Sequence, residues 1–541
     1  MCGIWLLLTK RSLAAAEIRA RLAPLEARGP EGTAHVDLSG NGYIGFTRLA
    51  INGLTTLGMQ PMQSGPVLSV TNGEIYNWRA IEQKYALDCT TGSDCEVVGK
   101  LYDDHFSKKP YTALGELFSE IDGVFATAIV DTERDITIIA RDPYGVRPLY
   151  IAAGDESLEI ASEMKGLGIQ EGIVVSPFKP GTYKVYQTST RALLYYATYH
   201  QRVSTPGTMT AQKAQASVRA ALEAAVDKRM MTQRPVAALL SGGLDSSLIA
   251  SLVAKRLKEA GAPPLKTFSI GMRGSTDLKY AKIVADWIGS DHTEVVLSAD
   301  DFFASIEDVI RVTETYDTTT IRASAGNWLV GKAVAQTDAK VVFNGDGSDE
   351  LWGSYKYFFL APSDAEYTQE VHRLLDDIHY FDVLRSDRCI SSWGLEPRTP
   401  FLDKGFVDAV LSVPVALRRP VKDYQIEKWL LRKAFDDGVT LPDEVLWRRK
   451  ESFSDGISGP ERAWYEEIQE RAAGKVPDDW LERVADKAAA KATAEAPRTP
   501  EMYYYRNTFE KIYGGIQPIP YFWMPKWTTT DDPSARTIAG L

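Results

Sequence analysis

The chain has 541 residues, of which 44% are hydrophobic and 25% charged, and its formal net charge is −11. This length exceeds what one hydrophobic core usually organises, and the hydrophobic content is sufficient for at least two domains. The acidic balance, with no basic tract in the sequence, argues against a nucleic-acid partner.

Cysteine spacing and hydropathy exclude further classes of protein. The four cysteines form no CxxC pair and have no neighbouring histidines, so the sequence predicts neither a zinc site nor a disulfide framework. The apolar run 4–8 is too short for the core of a signal peptide, and Lys10 and Arg11 follow it. No stretch approaches membrane-spanning length. We therefore expect a cytoplasmic enzyme without a membrane partner.

A cysteine occupies position 2 of the chain and is followed by Gly3-Ile4-Trp5. Because cysteine is small, we expect removal of the initiator methionine, which leaves a free α-amine beside the thiol. A terminal amine has an ordinary pKa of about 7.7 to 8.0, so it can accept the thiol proton as a general base. The six histidines show no catalytic spacing. Cys2 is therefore predicted to be a nucleophile that carries its own base; chance placement is the alternative.

The first 200 residues are dense in short apolar segments that alternate with polar turns. Hairpin loops are predicted at 131–135 and 154–155, so the sheets should be mostly antiparallel, with a helix at Cys95–His105 packed alongside. This pattern predicts an α+β layered domain over residues 1–200. Its predicted strands are 3–8, 43–51, 67–70, 124–130, 136–140 and 149–152.

Polar residues in this region have the chemistry to hold an amino-acid substrate. Arg48 supplies an anion-binding guanidinium, Asn72 supplies an amide donor beside the flexible Gly73, and Asp94 supplies a carboxylate. Together with the terminal thiol they match a glutamine site. The alternatives are that Arg48 is a surface charge and that Asp94 caps a helix at 95–101.

Residues 201–210 mark a domain boundary. This segment contains a Pro-Gly break and has no apolar periodicity, whereas apolar residues return at helical spacing over Ala211–Arg229. We therefore predict a linker over 201–210 and a second domain over 211–541.

The second domain contains the most informative motif of the chain, Ser-Gly-Gly-Leu-Asp-Ser-Ser at 241–247. It follows the apolar, strand-like run 235–240 and leads into a helix-like segment that begins near Leu248. The glycines allow close approach of a ligand, and the serine hydroxyls join the free N–H groups of the helix start, which favours a bound phosphate. The motif is neither a Walker loop nor a dinucleotide fingerprint. An ordinary glycine turn is the alternative.

Strand-like runs then alternate with long helices, which is typical of an α/β doubly wound parallel sheet. Loops at the carboxyl ends of such strands hold ligands. After about Ala472 the chain includes the Ala-, Lys- and Glu-rich stretch 488–496, for which we expect solvated helix and partial disorder. The predicted strands are 236–240, 266–270 and 340–344, and a helix is predicted at 322–334.

These motifs resemble known enzyme families. The loop at 241–247 looks like the pyrophosphate loop of ATP pyrophosphatases, which cleave ATP between the α and β phosphates. A second resemblance, to the class II (N-terminal-nucleophile) glutamine amidotransferase domain, rests on Cys2-Gly3-Ile4, Arg28-Gly29-Pro30, Asn72–Asn77 and Gly92-Ser93-Asp94. The whole chain therefore resembles the glutamine-hydrolysing asparagine synthetases. Further matching motifs are RDPYGVRPLY (141–150), ETYDTTTIRAS (314–324), GDGSDE (345–350), PFLD (400–403), RRKESFSDG (448–456), WMPKW and DPSAR.

For the first domain, the resemblance implies an N-terminal-nucleophile fold that hydrolyses glutamine. Cys2 would attack the side-chain amide of glutamine, and Asn72 with the N–H of Gly73 would stabilise the tetrahedral oxyanion. The Arg28-Gly29-Pro30 turn would lie near the site, with either a functional or a purely structural role. Glutamine would be bound by Asn72, by Arg48 at its α-carboxylate, and by Glu74 and Asp94 at its α-ammonium.

For the second domain, the resemblance implies adenylation of the β-carboxylate of aspartate by ATP, followed by attack of ammonia to give asparagine and AMP. Asp245 and Asp349 would hold Mg²⁺ through oxygen ligands, and Lys450 would neutralise the α-phosphate. A solvated basic cluster at 448–450 is the alternative. The ATP-binding residues would be Leu240, Ser241, Gly242, Gly243, Asp245, Ser246, Ile270 and Gly345.

Aspartate would be recognised by Thr319, Thr320 and Arg322, the arginine pairing with a carboxylate. Alternatively, the threonines cap the helix that follows them. The implied partners are the small molecules glutamine, aspartate and ATP, and the resemblance is compatible with a homodimer. Ammonia would pass between the two sites along an apolar internal path that no motif locates.

One position departs from the family pattern. The family usually carries Ser-Gly-Glu-Gly-Ser-Asp-Glu, in which the first glutamate acts on the incoming ammonia, whereas this chain has Asn344-Gly-Asp-Gly-Ser-Asp-Glu350. The carboxylate of Asp346 is one methylene shorter, and a misplacement of about 1 Å can lower a rate on the order of 10²-fold. Either the loop shifts to compensate or the substrate is not the usual one.

Three functions therefore remain open at this point. The first is glutamine-dependent asparagine synthesis. The second is a related ligase that adenylates another carboxylic acid, as in the β-lactam synthetases, although Cys2 argues against it because an intramolecular amine needs no ammonia source. The third is a scaffold or regulatory protein whose chemistry is impaired by Asp346.

Overall fold

The computed structural model describes residues 1–169, 173–203, 206–421, 425–459, 461–490, 496–534 and 538, without the side chains of 486–490. The chain forms two compact units. Unit 1 contains residues 1–202, 231–235 and 391–396, and unit 2 contains 203–230, 236–390 and 397–541. The predicted linker and the predicted disordered stretch 488–496 fall partly outside the described residues, at 204–205 and 491–495.

Unit 1 is built on two six-stranded sheets in which all the pairings are antiparallel. Its strands are β1 (Gly3–Thr9), β2 (Thr33–Asp37), β3 (Gly42–Thr47), β4 (Met62–Ser64), β5 (Val67–Ile75), β6 (Gly123–Asp131), β7 (Ile136–Arg141), β8 (Tyr150–Ala153), β9 (Ser157–Ala161), β10 (Val174–Pro177), β11 (Thr182–Gln187) and β12 (Leu193–Thr198). Its helices are α1 (Ala15–Leu22), α2 (Trp78–Tyr85), α3 (Glu96–Leu101) and α4 (Leu114–Glu120). The strand orders are β10-β8-β9-β1-β3-β2 and β12-β11-β7-β6-β5-β4.

The alternation of side chains along the strands produces the layers of unit 1. Successive residues of a strand point to opposite faces, so every second residue of β1 faces the second sheet. The buried cluster between the sheets includes Ile4, Leu6, Leu8, Val70 and Ile139. The other face of the second sheet packs against α2, α3 and α4 in a second buried cluster. The predicted α+β class with layered antiparallel sheets is confirmed.

Two predicted strand bounds in unit 1 were wrong, each because pairing partners decide where a strand ends. The strand predicted at 43–51 ends at Thr47, since Thr47 pairs with Gly3, the first residue of β1. The strand predicted at 67–70 continues to Ile75, because β6 offers partners as far as Gly123. The predicted helix Cys95–His105 is α3 followed by one wide π-type turn, 102–106.

Unit 2 contains a five-stranded sheet with the order β15-β14-β13-β16-β17. These strands are β13 (Val236–Leu239), β14 (Lys266–Gly271), β15 (Asp291–Val296), β16 (Val341–Phe343) and β17 (Glu396–Arg398). The pairs β13–β14, β14–β15 and β13–β16 are parallel, which confirms the predicted α/β doubly wound class. The strand order changes direction between β13 and β16, and ligands bind at such a switch point in open α/β sheets.

The helices of unit 2 cover this sheet and extend beyond it. They are α5 (Ala211–Arg229), α6 (Leu244–Glu259), α7 (Thr276–Ile288), α8 (Ala299–Ala304), α9 (Ile306–Thr313), α10 (Thr318–Val334), α11 (Ser348–Trp352), α12 (Asp364–Asp377), α13 (Asp382–Ser391), α14 (Lys404–Leu411), α15 (Val415–Arg418), α16 (Trp429–Ala434), α17 (Asp443–Leu446), α18 (Phe453–Gly456), α19 (Trp464–Ala473), α20 (Trp480–Ala490) and α21 (Pro500–Tyr513). None of the helices in the described ranges is both long and apolar enough to span a bilayer.

Two helices of unit 2 begin earlier than predicted. Helix α6 starts at Leu244 rather than near Leu248, because the extended Gly243 acts as its N-cap. Helix α10 starts at Thr318 rather than Arg322, because the side chain of Asp317 accepts a hydrogen bond from the N–H of Thr320. Asp317 is therefore the cap of α10, and the threonines that follow it form the first turn.

A buried ion pair ties α5 to the start of α14. Asp403 accepts from Arg229 at 2.6 Å and lies 2.9 Å from Lys228, and it also caps α14. Burial alone raises the pKa of Asp403, but Arg229 and Lys228 outweigh it and hold the pKa at about 2. An unfolded aspartate has a pKa of about 3.9, so this difference stabilises the folded state by roughly 2–3 kcal/mol at neutral pH.

We expect Asp403→Asn to lower the free energy of unfolding by about 2–3 kcal/mol at pH 7. Because the folded pKa is depressed, the difference from wild type should be constant above about pH 4 and shrink as the pH falls toward 2. Urea unfolding followed across this pH range measures it. The control is Asp291→Asn, an exposed carboxylate 3.8 Å from Lys266, which should change the stability by less than about 0.5 kcal/mol. Equal effects of the two variants would contradict the prediction.

Candidate active site

Unit 1 contains a cavity of about 30 Å³ whose wall includes Cys2. The wall also includes the end of β3, the loop that follows it, residues 71–74 of β5, residues 93–95 and Glu396. All the residues predicted to attack or bind glutamine line this cavity: Cys2, Arg48, Asn72, Gly73, Glu74 and Asp94. Gly73 and Glu74 are inside strand β5 rather than after it, so their positions are fixed by the sheet.

Cys2 is held in place through its backbone. Its N–H donates to Oδ1 of Asn72 at 3.1 Å, and its carbonyl oxygen accepts from Nε of Arg28 at 3.0 Å. Arg28 is fully buried and also pairs with Glu163 at 2.6 Å, so it acts on the position of the nucleophile. The thiol lies 3.5 Å from the backbone N of Leu49, and burial raises the pKa of Cys2.

The surroundings of the first residue favour the neutral form of the terminal α-amine. In this structure the terminal α-amine belongs to Met1, which is buried. Burial lowers the pKa of this amine to about 6, although Glu396 acts in the opposite direction. A group with that pKa is unprotonated at neutral pH, which is the form a general base needs.

Asn72, which lines this cavity, has an unused side-chain donor. A backbone N–H can only donate, so the Asn72 atom that faces Cys2 is the oxygen, and the amide nitrogen points elsewhere. No acceptor within the described ranges lies in hydrogen-bonding distance of this buried Nδ2. Gly73 has no room for a side chain, because a Cβ there would lie 2.2 Å from the carbonyl oxygen of Val124. Both features fit a site for a developing oxyanion.

The charged residues of the cavity are buried rather than superficial. Arg48 is 8% exposed and donates to the carbonyl oxygens of Gly53 and Thr55 at 2.5 and 2.7 Å, so the alternative that it is a surface charge was wrong. Asp94 accepts from the N–H of Ile75 at 2.7 Å, and the N-cap position of α3 is occupied by the next residue, Cys95. Glu74 accepts from Asn52 at 2.9 Å.

Unit 2 contains a second, larger cavity of about 180 Å³ at the carboxyl ends of β13, β14 and β16. It lies at the switch point of the sheet, where α/β folds bind ligands. The predicted residues in its wall are Leu240, Ser241, Gly243, Asp245, Ser246, Ile270, Thr319, Gly345, Asp346, Asp349 and Lys450. Gly242 does not line the cavity but shapes its loop.

The loop at 241–247 is held in one conformation by its own hydroxyls. Oγ of Ser241 and Oγ of Ser246 are 2.9 Å apart, and the N–H of Ser241 donates to Ser246 at 3.2 Å. Gly242 has φ +71°, and a Cβ there would lie 2.4 Å from the backbone N of Ala281. The loop therefore needs glycine at 242, and it brings the N-terminus of α6 to the cavity, as a phosphate site requires.

Two carboxylates and two ammonium groups meet beside this loop. Lys450 lies 2.6 Å from Oδ2 of Asp349, and Lys428 lies 2.5 Å from both Asp245 and Asp349. The opposing charges of Lys428 and Lys450 outweigh burial and hold the pKa of Asp349 well below its usual range. The side chain of Arg448 is 8% exposed and pairs with Asp277 at 3.1 Å, so the alternative of a solvated basic cluster was wrong for Arg448.

Asp346 faces the same cavity with its own set of charged neighbours. Burial raises the pKa of Asp346, while Arg385 at 3.4 Å lowers it. Arg385 also pairs with Asp382 at 2.8 Å. Tyr355 donates to Glu350, and burial together with Asp382 raises the pKa of Glu350 well above its usual range. No sequence pattern indicated that these residues, or Lys428, would lie at this cavity.

Of the three residues predicted to bind the substrate aspartate, only Thr319 lines this cavity. Helix α10 faces it with Thr319, and with Ala323, Asn327 and Val330 at helical spacing after it. Thr320 therefore points elsewhere, and its hydroxyl donates to Asp317 at 2.9 Å.

Arg322, which was predicted to bind a carboxylate of the substrate, is paired with carboxylates of the protein in this structure. Its guanidinium donates to Glu501 and Asp532 at 2.6 to 2.9 Å, so all three of its nitrogens already donate inside the protein. It lines an adjoining cavity of about 60 Å³ that also includes Thr319.

The predicted metal ligands suit Mg²⁺ chemically but do not form a cage. Mg²⁺ prefers carboxylate and phosphate oxygens and is usually held by one or two carboxylates together with substrate phosphates. Asp245 and Asp349 offer such oxygens beside the phosphate loop. Within the described ranges, no group of three or more His, Cys, Asp or Glu side chains is arranged to hold a metal. The residues therefore fit Mg²⁺ arriving with a nucleotide.

Comparison with known proteins also divides the chain into two parts. The family model described as "Glutamine amidotransferase domain" matches residues 1–220, and the one described as "Asparagine synthase" matches 217–369 and 360–515. Proteins named asparagine synthetase [glutamine-hydrolyzing] are similar over 99% of this chain and 98% of their own length: 40% identical in Gallus gallus, 39% in Rattus norvegicus and 38% in Homo sapiens. The chain belongs to the glutamine-hydrolysing asparagine synthetase family.

Proposed function

We propose that this protein makes L-asparagine from L-aspartate, ATP and L-glutamine, and releases AMP, pyrophosphate and L-glutamate. The observation that carries the proposal is the pair of cavities in a chain similar to these synthetases over its whole length. One cavity contains a thiol nucleophile, and the other contains a phosphate loop beside Lys450. A β-lactam-type ligase and an inactive scaffold are disfavoured, because neither needs the intact arrangement around Cys2.

In unit 1, the thiol of Cys2 attacks the side-chain carbonyl carbon of glutamine, and the carbonyl oxygen becomes an oxyanion. The unpaired Nδ2 of Asn72 and the N–H of Gly73 donate to this oxyanion, and a preorganised donor of this kind is worth about 3 kcal/mol. Removal of Met1 would place the α-amine of Cys2 where Asn72 orients it, as the base for the thiol. Ammonia leaves, and water then hydrolyses the thioester to glutamate.

The charged residues of this cavity are proposed to bind the amino-acid end of glutamine. Arg48 pairs with the α-carboxylate, while Glu74 and Asp94 accept from the α-ammonium. The burial of these three residues supports the assignment, because buried charges are retained where they have a charged partner.

In unit 2, the β-carboxylate oxygen of aspartate attacks the α-phosphorus of ATP, and pyrophosphate leaves. The leaving group is proposed to lie in the loop at 241–247 and against the start of α6, with the adenosine part near Leu240, Ile270 and Gly345. Lys450 donates to the α-phosphate as negative charge develops there. Thr319 is proposed to contact aspartate, and Arg322 would take part only if Asp532 released it.

Asp245 and Asp349 are proposed to hold Mg²⁺ bound to the phosphates. When bound, the ion would neutralise the charge of the leaving pyrophosphate. The ionised state of Asp349, which its two lysine neighbours enforce, is the state that a Mg²⁺ ligand needs. We also propose a cytoplasmic location, because the four cysteines are not joined in disulfides, as is usual in a reducing compartment.

Asp346 is proposed to take the proton from the attacking ammonia. Its carboxylate lies in the cavity, and Arg385 fixes its orientation. A charged neighbour thus holds the shorter side chain in place. This supports the interpretation that the loop compensates for having aspartate where the family usually has glutamate.

We expect Asp346→Asn to slow asparagine formation about 10²-fold, because the base is lost. Adenylation of aspartate, measured as exchange of pyrophosphate into ATP, should stay within about threefold of wild type. Because burial raises the pKa of Asp346 and the base works ionised, the wild-type rate should fall as the pH drops toward that raised pKa, and this limb should disappear in Asp346→Asn. Asp338→Asn, an exposed carboxylate in the loop before β16, is the control. Loss of adenylation in Asp346→Asn would contradict this role.

The overall reaction is tested by product analysis. With aspartate, glutamine, ATP and Mg²⁺, AMP, pyrophosphate and asparagine should form in equal amounts. If AMP forms equally well without aspartate but with another carboxylic acid, the protein is a different ligase. If no AMP forms under any of these conditions while Asp346→Glu restores it, the protein is a degraded synthetase.

A further inference from the structure

Lys428 occupies the space between the two proposed metal ligands. Its Nζ lies 2.5 Å from Oδ2 of Asp245 and 2.5 Å from Oδ1 of Asp349, and its side chain is 2% exposed. These carboxylates come from different parts of the fold, one from the first turn of α6 and one from α11. Lys428 is therefore the direct link between the phosphate loop and the loop that follows β16.

The backbone around Lys428 is built to hold this position. Lys428 precedes α16 and has φ +56°, a left-handed conformation that a long side chain rarely adopts. Its neighbour Glu427 accepts from the backbone N–H of Lys450 at 2.8 Å and pairs with Arg432 at 2.6 Å. Residues 427 and 428 thus fix both the carboxylates and the segment that carries Lys450.

The oxygens of both carboxylates are already used. Oδ1 of Asp245 accepts from Ser348 at 2.7 Å, and Oδ2 accepts from Lys428. Oδ1 of Asp349 accepts from Lys428 and Ser354, and Oδ2 accepts from Lys450. Two carboxylate charges are therefore balanced by two ammonium charges. A free divalent cation would have to displace a buried ammonium and would add to the positive charge.

We propose that Lys428 is a positioning residue that stands in for the metal between Asp245 and Asp349, so that a divalent cation reaches these carboxylates only together with a nucleoside triphosphate. The phosphates bring the negative charge that the added cation requires, and Lys428 keeps both carboxylates correctly spaced until then. This inference rests on the proposed function of the unit 2 cavity.

The test is a titration with Mn²⁺ in the absence of nucleotide, followed by the electron paramagnetic resonance signal of free Mn²⁺, on wild type, Lys428→Met and Lys428→Arg. Lys428→Met leaves two carboxylates side by side without their shared ammonium. It should therefore bind one Mn²⁺ at least about tenfold more tightly than wild type. Lys428→Arg keeps the charge and should behave like wild type. Lys433→Met, on helix α16 that follows Lys428 and in an exposed pair with Asp436, is the control.

The same variants should distinguish a positioning role of Lys428 from a role in folding. Lys428→Met should lower the rate of AMP formation about 10²-fold, mainly in kcat, while glutamine hydrolysis in unit 1 stays unchanged as evidence of a folded chain. The inference is overturned if wild type binds Mn²⁺ without nucleotide as tightly as Lys428→Met does, or if Lys428→Met changes neither Mn²⁺ binding nor AMP formation. If wild type forms no AMP, the proposed function fails, and the Mn²⁺ titration still decides the role of Lys428.

Discussion

Replacing Cys2 with alanine should abolish glutamine-dependent asparagine synthesis and leave ammonia-dependent synthesis intact. The thiol is the atom that bonds to the glutamine carbonyl carbon, so its removal should lower glutamine hydrolysis by roughly 10⁴-fold or more. Adenylation of aspartate uses residues of unit 2 only, so the rate with ammonium chloride as nitrogen source should stay within about twofold. Glutamate release and asparagine formation, measured with each nitrogen source in turn, give both quantities.

Cys89→Ala provides the matched control for this experiment. Cys89 is also a free, partly buried thiol of unit 1, but it does not line the cavity around Cys2. It should therefore retain activity with both nitrogen sources. If Cys2→Ala lost synthesis from ammonia as well, the proposed division of labour between the units would be wrong; if it kept glutamine hydrolysis, the nucleophile would be another group.

Replacing Lys450 with methionine should have the second-largest effect. Methionine keeps most of the apolar length of the side chain but removes the ammonium that lies 2.6 Å from Asp349. Loss of a cation that acts on developing phosphate charge usually slows the reaction on the order of 10³-fold. We therefore expect pyrophosphate exchange and AMP formation to fall by that factor in kcat, with both nitrogen sources, while glutamine hydrolysis is unchanged.

The neighbouring cation serves as the control for Lys450. Arg449 precedes it in the chain but does not line the cavity, so Arg449→Met should keep adenylation within about threefold. Equal losses in the two variants would mean that general positive charge, rather than contact with the phosphate, is what matters. A loss with glutamine only would place Lys450 outside the adenylation step.

The sequence could predict much of the fold because the informative patterns are local. The alternating apolar residues of β1 and the Pro-Gly break before α5 are visible within a few neighbouring residues. The positions of Cys2 and the loop at 241–247 were predictable for the same reason, since each combines an unusual residue pattern with a clear strand or helix context. Pairing decided the remaining bounds: whether Asn72 follows a strand or lies within one depends on how far β6 extends.

The unpredicted residues of the site act over long sequence separations. Lys428 meets Asp245 and Asp349 across 183 and 79 residues, and no local pattern distinguishes it from any other lysine before a helix. Arg322 shows the converse, because its motif suggests a ligand for a carboxylate while Glu501, 179 residues away, provides that carboxylate within the protein. A buried arginine in a matching motif therefore indicates a carboxylate partner, but the motif does not show whether that carboxylate belongs to the substrate or to the protein.

The most direct measurement follows isotopes through one turnover. Aspartate labelled with ¹⁸O in its β-carboxylate and glutamine labelled with ¹⁵N in its amide are supplied with ATP, and the products are analysed by mass spectrometry. Attack of the carboxylate on the α-phosphorus predicts one ¹⁸O atom in AMP, one ¹⁸O in asparagine, and ¹⁵N in the asparagine amide. Appearance of ¹⁸O in inorganic phosphate with ADP as the nucleotide product, or AMP without ¹⁸O, would contradict it.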